Sequence, residues 1–174
     1  MKIRFLLLLA AAALVAVGAV ACGDDDDDAA TTPAASATTA GSATQSPDAL
    51  KTALLESINE EYKAHATYQA VIDKFGSTAP FSNIVNSEQS HIDAWKTLLT
   101  KYQIAIPEDP FLGKVTAPAS LKDACATGVA AEKEDVAMYD RLMKTVTQSD
   151  VLTVMQQQRD VSQNNHLPAF ERCQ

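Results

Sequence analysis

Five acidic and imidazole side chains, spread over four segments of this 174-residue chain, are the residues best suited to chemistry. Glu88 and His91 form Glu-x-x-His, a spacing that places both side chains on one face of a helix. Glu61, Glu132 and His166 come from three other segments. A buried carboxylate is costly unless it is paired or holds a cation, and carboxylate and imidazole ligands together suit iron or manganese, with zinc and copper as alternatives. We therefore predict that these five residues form a metal site.

Three further polar residues lie close to this set in the helical pattern. Asp135 follows Glu132 by three residues and His65 follows Glu61 by four, so both are additional candidate ligands. Gln163 has a neutral amide, which is a poor iron ligand, and we expect it to contact the ligands rather than to bind the metal. Taken alone, any one of these side chains is more often a solvated surface group or a hydrogen-bonded core group than a ligand.

The elements that must position these residues are four amphipathic helices, in which apolar residues recur in alternating steps of three and four. Ser46 is the predicted N-cap of the first helix, which ends at Gly76, and the second helix follows Pro80. The third helix begins near Ser120 and the fourth at Ser149. The predicted fold class is therefore all-α, an antiparallel four-helix bundle.

Short turns make the first and second helices antiparallel, and likewise the third and fourth, so residues at one level are equidistant from their turn. Glu61 and His91 each lie 15 residues from the first turn, and Glu132 and His166 each lie 17 residues from the second. The polar residues of each helix pair are therefore expected to meet at one level. The inward face predicted for the fourth helix consists of Leu152, Gln156, Arg159, Gln163, His166, Phe170 and Cys173.

The three cysteines are expected to have two different roles. Cys125 and Cys173 each lie 24 residues from the second turn, so they face each other in the predicted register. In an oxidising compartment this predicts a disulfide, with two free buried thiols as the alternative. The remaining Cys22 then has a separate role near the amino terminus.

The amino-terminal segment is typical of a secretory signal peptide. Residues 1–21 combine a short basic start with an apolar run that is shorter than the roughly 20 residues of a comfortable membrane span. The run ends in Ala-Val-Ala before Cys22, which resembles the lipobox of bacterial lipoproteins and implies cleavage before Cys22 and a lipid on its sulfur. The alternative is a membrane anchor with an incidental cysteine. Both readings place the folded part outside the cytoplasm, and the first makes it lipid-anchored to the bacterial cell membrane or envelope.

Residues 22–45 and the overall charge limit the classes of partner. Five consecutive aspartates followed by Ala, Thr, Ser, Pro and Gly predict a disordered linker, which leaves 46–174 as the folded domain. The net charge is −8, and no cluster of lysine and arginine is present to neutralise phosphates, so a nucleic-acid partner is not expected. The expected partners are metal ions and, through Cys22, a membrane; the oligomeric state stays open.

The metal-site residues resemble the two-metal layout of ferritin-like proteins, with Glu61, Glu88, His91, Glu132 and His166 in five of its six positions. Residues 81–94 (FSNIVNSEQSHIDA) and 165–170 (NHLPAF) are similar to an uncharacterised bacterial ferritin-like family, a domain of unknown function, and the resemblance spans roughly 48–173. It implies an iron-type bundle with a long crossover that makes the second and third helices parallel. It also implies a glutamate at position 163, where this chain has glutamine.

Three hypotheses about function follow from these observations. The first is a cell-envelope lipoprotein whose ferritin-like site, di-iron or mononuclear, performs iron oxidation or peroxide-linked redox chemistry. The second is a module that binds or senses a metal without turnover. The third is a structural four-helix module whose polar layer is held by hydrogen bonds. The sequence leaves open whether the chain is an enzyme.

Overall fold

The structure is a computed structural model that describes residues 46–173, and these residues form helices and contain no strand. The predicted signal peptide, the predicted lipid attachment at Cys22 and the linker of residues 22–45 lie outside the described residues. The elements are α1 (Pro47–Phe75), α2 (Phe81–Lys101), α3 (Leu121–Leu142), α4 (Ser149–Val161), a π-helical turn (Ser162–His166) and α5 (Leu167–Glu171). The prediction of an all-α fold is confirmed.

Local signals in the sequence set the helix ends. The Ser46 hydroxyl accepts a hydrogen bond from the Asp48 backbone N–H at 3.3 Å, so Ser46 is the N-cap of α1. Gly76 ends the same helix with a φ of 85°, which favours glycine. The Ser120 hydroxyl accepts from the Asp123 backbone N–H at 3.1 Å at the start of α3. The predicted starts of these helices are therefore confirmed.

Two clusters of buried apolar residues show how the helices run. The Trp95 cluster consists of Ala53, Leu54, Ile58, Tyr62, Ile92, Trp95, Leu98, Leu99, Met138, Tyr139, Leu142, Val146, Val151 and Met155. The Phe170 cluster consists of Tyr68, Val71, Phe81, Ile84, Val85, Ala124, Cys125 and Phe170. The Trp95 cluster joins the early part of α1 to the late parts of α2 and α3 and the start of α4. Consequently α1 is antiparallel to α2, α3 is antiparallel to α4, and α2 and α3 run in the same direction.

The connection between α2 and α3, residues 102–120, passes from one cluster to the other. Ile104 and Phe111 pack against the Trp95 cluster, and Ala117 packs against the Phe170 cluster. The Tyr62 hydroxyl donates to the Pro107 carbonyl at 3.3 Å and fixes the connection to α1 along the way. A long connection is needed here because parallel helices have the end of one and the start of the next at opposite ends.

A disulfide and a close contact between α3 and α5 lie beside the Phe170 cluster. Cys125 and Cys173 form the expected disulfide, with their Cα atoms 5.7 Å apart. A Cβ atom added at Gly128 would lie 2.5 Å from the Phe170 ring, so glycine lets α5 approach the backbone of α3. Both features tie the carboxyl-terminal segment to α3.

The inward face predicted for α4 is wrong by one residue. The buried residues of this stretch are Val151, Met155, Gln158, Ser162, His166, Leu167 and Phe170. The π-helical turn between Ser162 and His166 inserts one residue, so counting back from His166 by α-helical steps misses the register of α4. The turn lies just before Pro168, whose missing N–H cannot continue the α-helical ladder.

Candidate metal centre

A layer of buried polar side chains separates the two apolar clusters. We call it the polar layer; its members are Glu61, Glu88, His91, Glu132, Asp135 and His166, and each is at most 8% exposed. All four long helical stretches contribute to it, with His166 at the end of the π-helical turn. The structure therefore buries the five main candidate ligands and Asp135 at one level.

Within the polar layer, two groups of three residues could each hold a cation. The first consists of Glu61, Glu88 and His91, and the second of Glu88, Glu132 and His166. In each group one ligand atom of every residue lies within 4.8 Å of the others. Glu88 belongs to both groups, so the two potential cation positions are adjacent and share one carboxylate.

The inner nitrogen of each imidazole lies between two carboxylates. His91 Nδ1 is 2.9 Å from Glu88 Oε2 and 3.2 Å from Glu61 Oε2. His166 Nδ1 is 3.2 Å from Glu88 Oε1 and 3.4 Å from Glu132 Oε2. Each oxygen of Glu88 thus faces a different histidine.

Two buried tyrosines orient the outer carboxylates. The Tyr68 hydroxyl donates to Glu132 Oε1 at 2.7 Å, and the Tyr139 hydroxyl donates to Glu61 Oε1 at 2.5 Å. Tyr68 follows Glu61 by seven residues and Tyr139 follows Glu132 by seven, so each tyrosine serves the carboxylate of the opposite helix. The indole N–H of Trp95 in turn donates to the Tyr139 oxygen at 3.2 Å. A search for Glu-x₆-Tyr on one helical face could have found this pair.

Asp135 occupies the side of the layer next to the π-helical turn. Its Oδ2 accepts a hydrogen bond from the Ser162 hydroxyl at 2.6 Å, whereas its Oδ1 is buried without a hydrogen-bond partner. His166 Nδ1 also lacks a partner with hydrogen-bond geometry. The Asp135 oxygen without a hydrogen-bond partner fits a site for cations, because an orphaned polar atom in the core is otherwise costly.

The structure does not bring two of the predicted residues to the layer. His65 is partly exposed and lies in a groove beneath the 102–120 connection, next to Tyr62 and Pro107. A step of four residues from Glu61 overshoots the inward direction by about 40°, whereas the step of seven to Tyr68 comes within about 20°. Gln163 is also partly exposed, because the register shift in α4 gives the inward position to Ser162.

Burial raises the pKa values of Glu61 and Asp135, whereas contacts with the histidines lower that of Glu88. Burial, followed by the charge of Asp135, raises the pKa of Glu61 well above its usual value. Burial also raises the pKa of Asp135 to about 7. In Glu88 burial acts in the same direction, but the contacts with His166 and His91 outweigh it and lower the pKa to about 2.

The histidines are the cationic partners of these carboxylates. Burial lowers the pKa of both imidazoles, but Glu61 and Glu88 outweigh it for His91 and raise its pKa to about 10. Glu132 and Glu88 likewise raise the pKa of His166 to about 9. No lysine or arginine among residues 46–173 is buried. Four carboxylates therefore share two imidazoles, and a bound cation would relieve their repulsion.

Comparisons with known proteins identify relatives without an established activity. Residues 51–117, which include Glu61, Glu88 and His91, match the family described as "Uncharacterized protein domain (DUF2202)". The uncharacterized protein MJ0754 of Methanocaldococcus jannaschii is 30% identical in an alignment 137 residues long, and the match covers 70% of this chain and 73% of the relative. A crystal structure of the hypothetical protein MJ0754 from Methanococcus jannaschii is similar with a TM-score of 0.64 and 29% identity, covering 70% of this chain and 77% of that one. On this evidence the chain belongs to the uncharacterised DUF2202 family.

Proposed function

We propose that this protein is a ferritin-like four-helix bundle that binds two metal cations in its polar layer, with Glu88 as the bridging ligand. The single observation that carries the proposal is that Glu88 belongs to two adjacent groups of three ligand-type residues. The helix directions and the long 102–120 connection support the ferritin-like assignment, because that fold also pairs antiparallel helices through one crossover.

The residues divide into two ligand sets. Glu61 and His91 would hold one cation and Glu132 and His166 the other, each together with Glu88. Asp135 would add its unpartnered oxygen beside them. Mixed oxygen and nitrogen donors suit iron first, with manganese, zinc and copper as alternatives. When bound, an iron pair supplies redox chemistry, which we propose is iron oxidation or peroxide-linked redox.

The cellular location of the site is a further part of the proposal. Among the described helices, none is long and apolar enough to cross a membrane. The basic and apolar start of the chain and the small residues before Cys22 support export and lipid attachment. We propose that the domain is held at the outer side of a bacterial membrane by lipid on Cys22.

Metal content tests the proposed site directly. Protein purified without chelator, or loaded with Fe(II), Mn(II), Zn(II) or Cu(II), is expected to hold two cations per chain and to melt at a higher temperature when loaded. Glu88→Gln is expected to weaken binding at least about 30-fold at both positions, since leaving a buried charge partner unpaired costs about 2–5 kcal/mol. Glu134→Gln is the matched control, because this α3 side chain is 68% exposed. If the wild-type protein contains no stoichiometric metal and none of the four cations changes its melting temperature, the proposed metal site is excluded. Only the hypothesis of a structural four-helix module then remains.

A second candidate function is cation binding without turnover. It is favoured by Gln163, which stands where the ferritin-type layout implies a glutamate and is partly exposed. The inward position of the π-helical turn holds the neutral Ser162 instead of a carboxylate. Oxygen uptake after addition of Fe(II) separates the two candidates. Uptake that exceeds that of the Glu61→Ala variant supports iron oxidation, whereas equal uptake in protein that binds two cations supports binding or sensing.

A further inference from the structure

One hydroxyl group lies between the outer nitrogens of the two histidines. Ser87 Oγ is 3.1 Å from His166 Nε2 and 3.5 Å from His91 Nε2. The two imidazole rings are stacked, with centroids 5.8 Å apart and an interplanar angle of 30°. Ser87 is on α2, one residue before Glu88, and is partly exposed at the edge of the polar layer. A single side chain therefore contacts both histidines on the side away from the carboxylates.

The protonation of the imidazoles gives this contact a chemical meaning. Each Nδ1 faces two carboxylates, so a cation in the layer would replace the proton on Nδ1. An imidazole that binds a cation through Nδ1 must carry its remaining proton on Nε2. That N–H needs an acceptor, and the partner of the outer nitrogen usually fixes both the tautomer and the ring orientation of a metal-binding histidine.

The hydroxyl oxygen of Ser87 can serve both rings at once. It has two acceptor lone pairs, so both Nε2–H groups can donate to it while its own proton points elsewhere. Among residues 46–173, Ser87 is the one side chain that forms a hydrogen bond with either Nε2. Loss of this hydroxyl would leave two part-buried N–H groups without that acceptor.

We propose that Ser87 is a shared positioning residue, which holds His91 and His166 together in the tautomer that binds cations through Nδ1. The inference rests on the proposed function, because it concerns the same two cation positions. It extends that function by linking the positions through one hydroxyl, in addition to the shared carboxylate of Glu88. Removing the hydroxyl should consequently weaken both positions rather than one.

Zinc binding to the full-length protein tests this role, because Zn(II) is diamagnetic and allows the imidazoles to be observed. Ser87→Ala is expected to lower the affinity for Zn(II) about 10-fold or more at both positions, the usual cost of losing the partner of a metal-bound histidine. Ser87→Thr keeps the hydroxyl and should bind Zn(II) as the wild type does. Ser87→Val has the shape of threonine without the hydroxyl and should bind as weakly as Ser87→Ala. Ser90→Ala is the control, since the Ser90 hydroxyl donates only to the Asn86 carbonyl on the exposed side of α2.

Long-range ¹H–¹⁵N spectra of the zinc-loaded protein supply a readout that a general loss of stability would not change. The wild-type and Ser87→Thr proteins should show both histidines protonated at Nε2, with slow exchange of these protons. In Ser87→Ala and Ser87→Val the Nε2 protons should exchange faster, at unchanged melting temperature of the chelated protein. Wild-type protein that binds no cation overturns the proposed function together with this inference. If the wild type binds two zinc ions, and Ser87→Val matches Ser87→Thr in zinc affinity and in Nε2 proton exchange, only the role of Ser87 is overturned.

Discussion

The Phe170 cluster and the polar layer are neighbours with opposite physical requirements. The cluster depends on shape: the rings of Tyr68, Phe81 and Phe170 have centroids 5.0–5.9 Å apart, and Gly128 leaves room for one of them. The layer depends on charge, because its carboxylates are buried with few cationic partners. Tyr68 belongs to both regions, with its ring in the cluster and its hydroxyl on Glu132.

The difference indicates how the molecule divides its tasks. Burial of apolar surface and tight packing stabilise the fold, whereas Glu61 and Asp135, whose pKa values burial raises, reduce stability when they are ionised and no cation is bound. The apolar clusters on both sides therefore hold the layer in place against its own repulsion. Substitutions in the cluster should change stability more than cation binding, and substitutions in the layer should do the reverse.

The largest effect on stability is expected from removing the disulfide. Replacing Cys125 and Cys173 with alanine should lower the free energy of unfolding by about 4 kcal/mol, the chain-entropy value for a loop of this length. Urea unfolding with chelator present measures the loss. The folded double variant should still bind two Zn(II) ions, because none of the six polar-layer residues is a cysteine. A change in zinc stoichiometry at unchanged stability would contradict the division of tasks.

The helices could be predicted from the sequence because their signals are local. Caps such as Ser46 and Ser120 and the glycine at position 76 specify helix ends through contacts within a few residues. The disulfide was predicted from helical register together with the expected oxidising compartment, and α3 and the carboxyl-terminal segment do bring Cys125 and Cys173 together. The inward face of α4 could not be predicted, since a π-helical turn has no strong local sequence signal apart from the nearby Pro168.

The parts of the site that depend on residue type and on spacing within one helix could be predicted. The parts that depend on contacts between residues distant in the sequence could not. Glu88 and His91 share one helix, so their juxtaposition follows from spacing. The roles of Ser87 and Ser162 depend on partners 79 and 27 residues away, which a single sequence does not reveal. His65 shows the opposite error, because proximity to Glu61 in the sequence does not by itself turn a side chain inward.

A smaller loss of stability is expected from filling the space at Gly128. Glycine to alanine in a helix normally stabilises by about 1 kcal/mol, but here the new methyl group would meet the Phe170 ring. We expect a net loss of about 1–3 kcal/mol, typical of an overpacked core, with little change in zinc affinity. Ala126→Gly, on the exposed side of α3, controls for helix propensity, and combining Gly128→Ala with Phe170→Leu should recover part of the loss. A Gly128→Ala variant as stable as wild type would show that α5 moves freely on α3.

The smallest effect on stability, and the opposite sign, is expected for Glu61→Gln in the polar layer. Burial, followed by the charge of Asp135, raises the pKa of Glu61 above its usual 4.5, so the folded protein favours the neutral carboxyl. The raised pKa of Glu61 means that the neutral carboxyl contributes to the stability of the fold. This contribution is fully present below the pKa of Glu61 in the unfolded chain, and it is lost as the pH rises through the pKa in the folded protein. Glutamine stays neutral and still offers an oxygen to Tyr139, so the variant avoids this loss.

Urea unfolding with chelator at pH 4 and pH 8 measures this difference. At pH 8 the Glu61→Gln variant should be more stable than wild type by on the order of 1 kcal/mol, and at pH 4 the two proteins should be nearly equal. Its zinc affinity should nevertheless fall sharply, because an amide replaces a carboxylate ligand. If the variant is instead less stable at pH 8, the ion pair between Glu61 and His91 outweighs the cost of burial. The polar layer would then stabilise the fold without a cation, and the burial of its carboxylates would no longer support the proposal that a cation binds there.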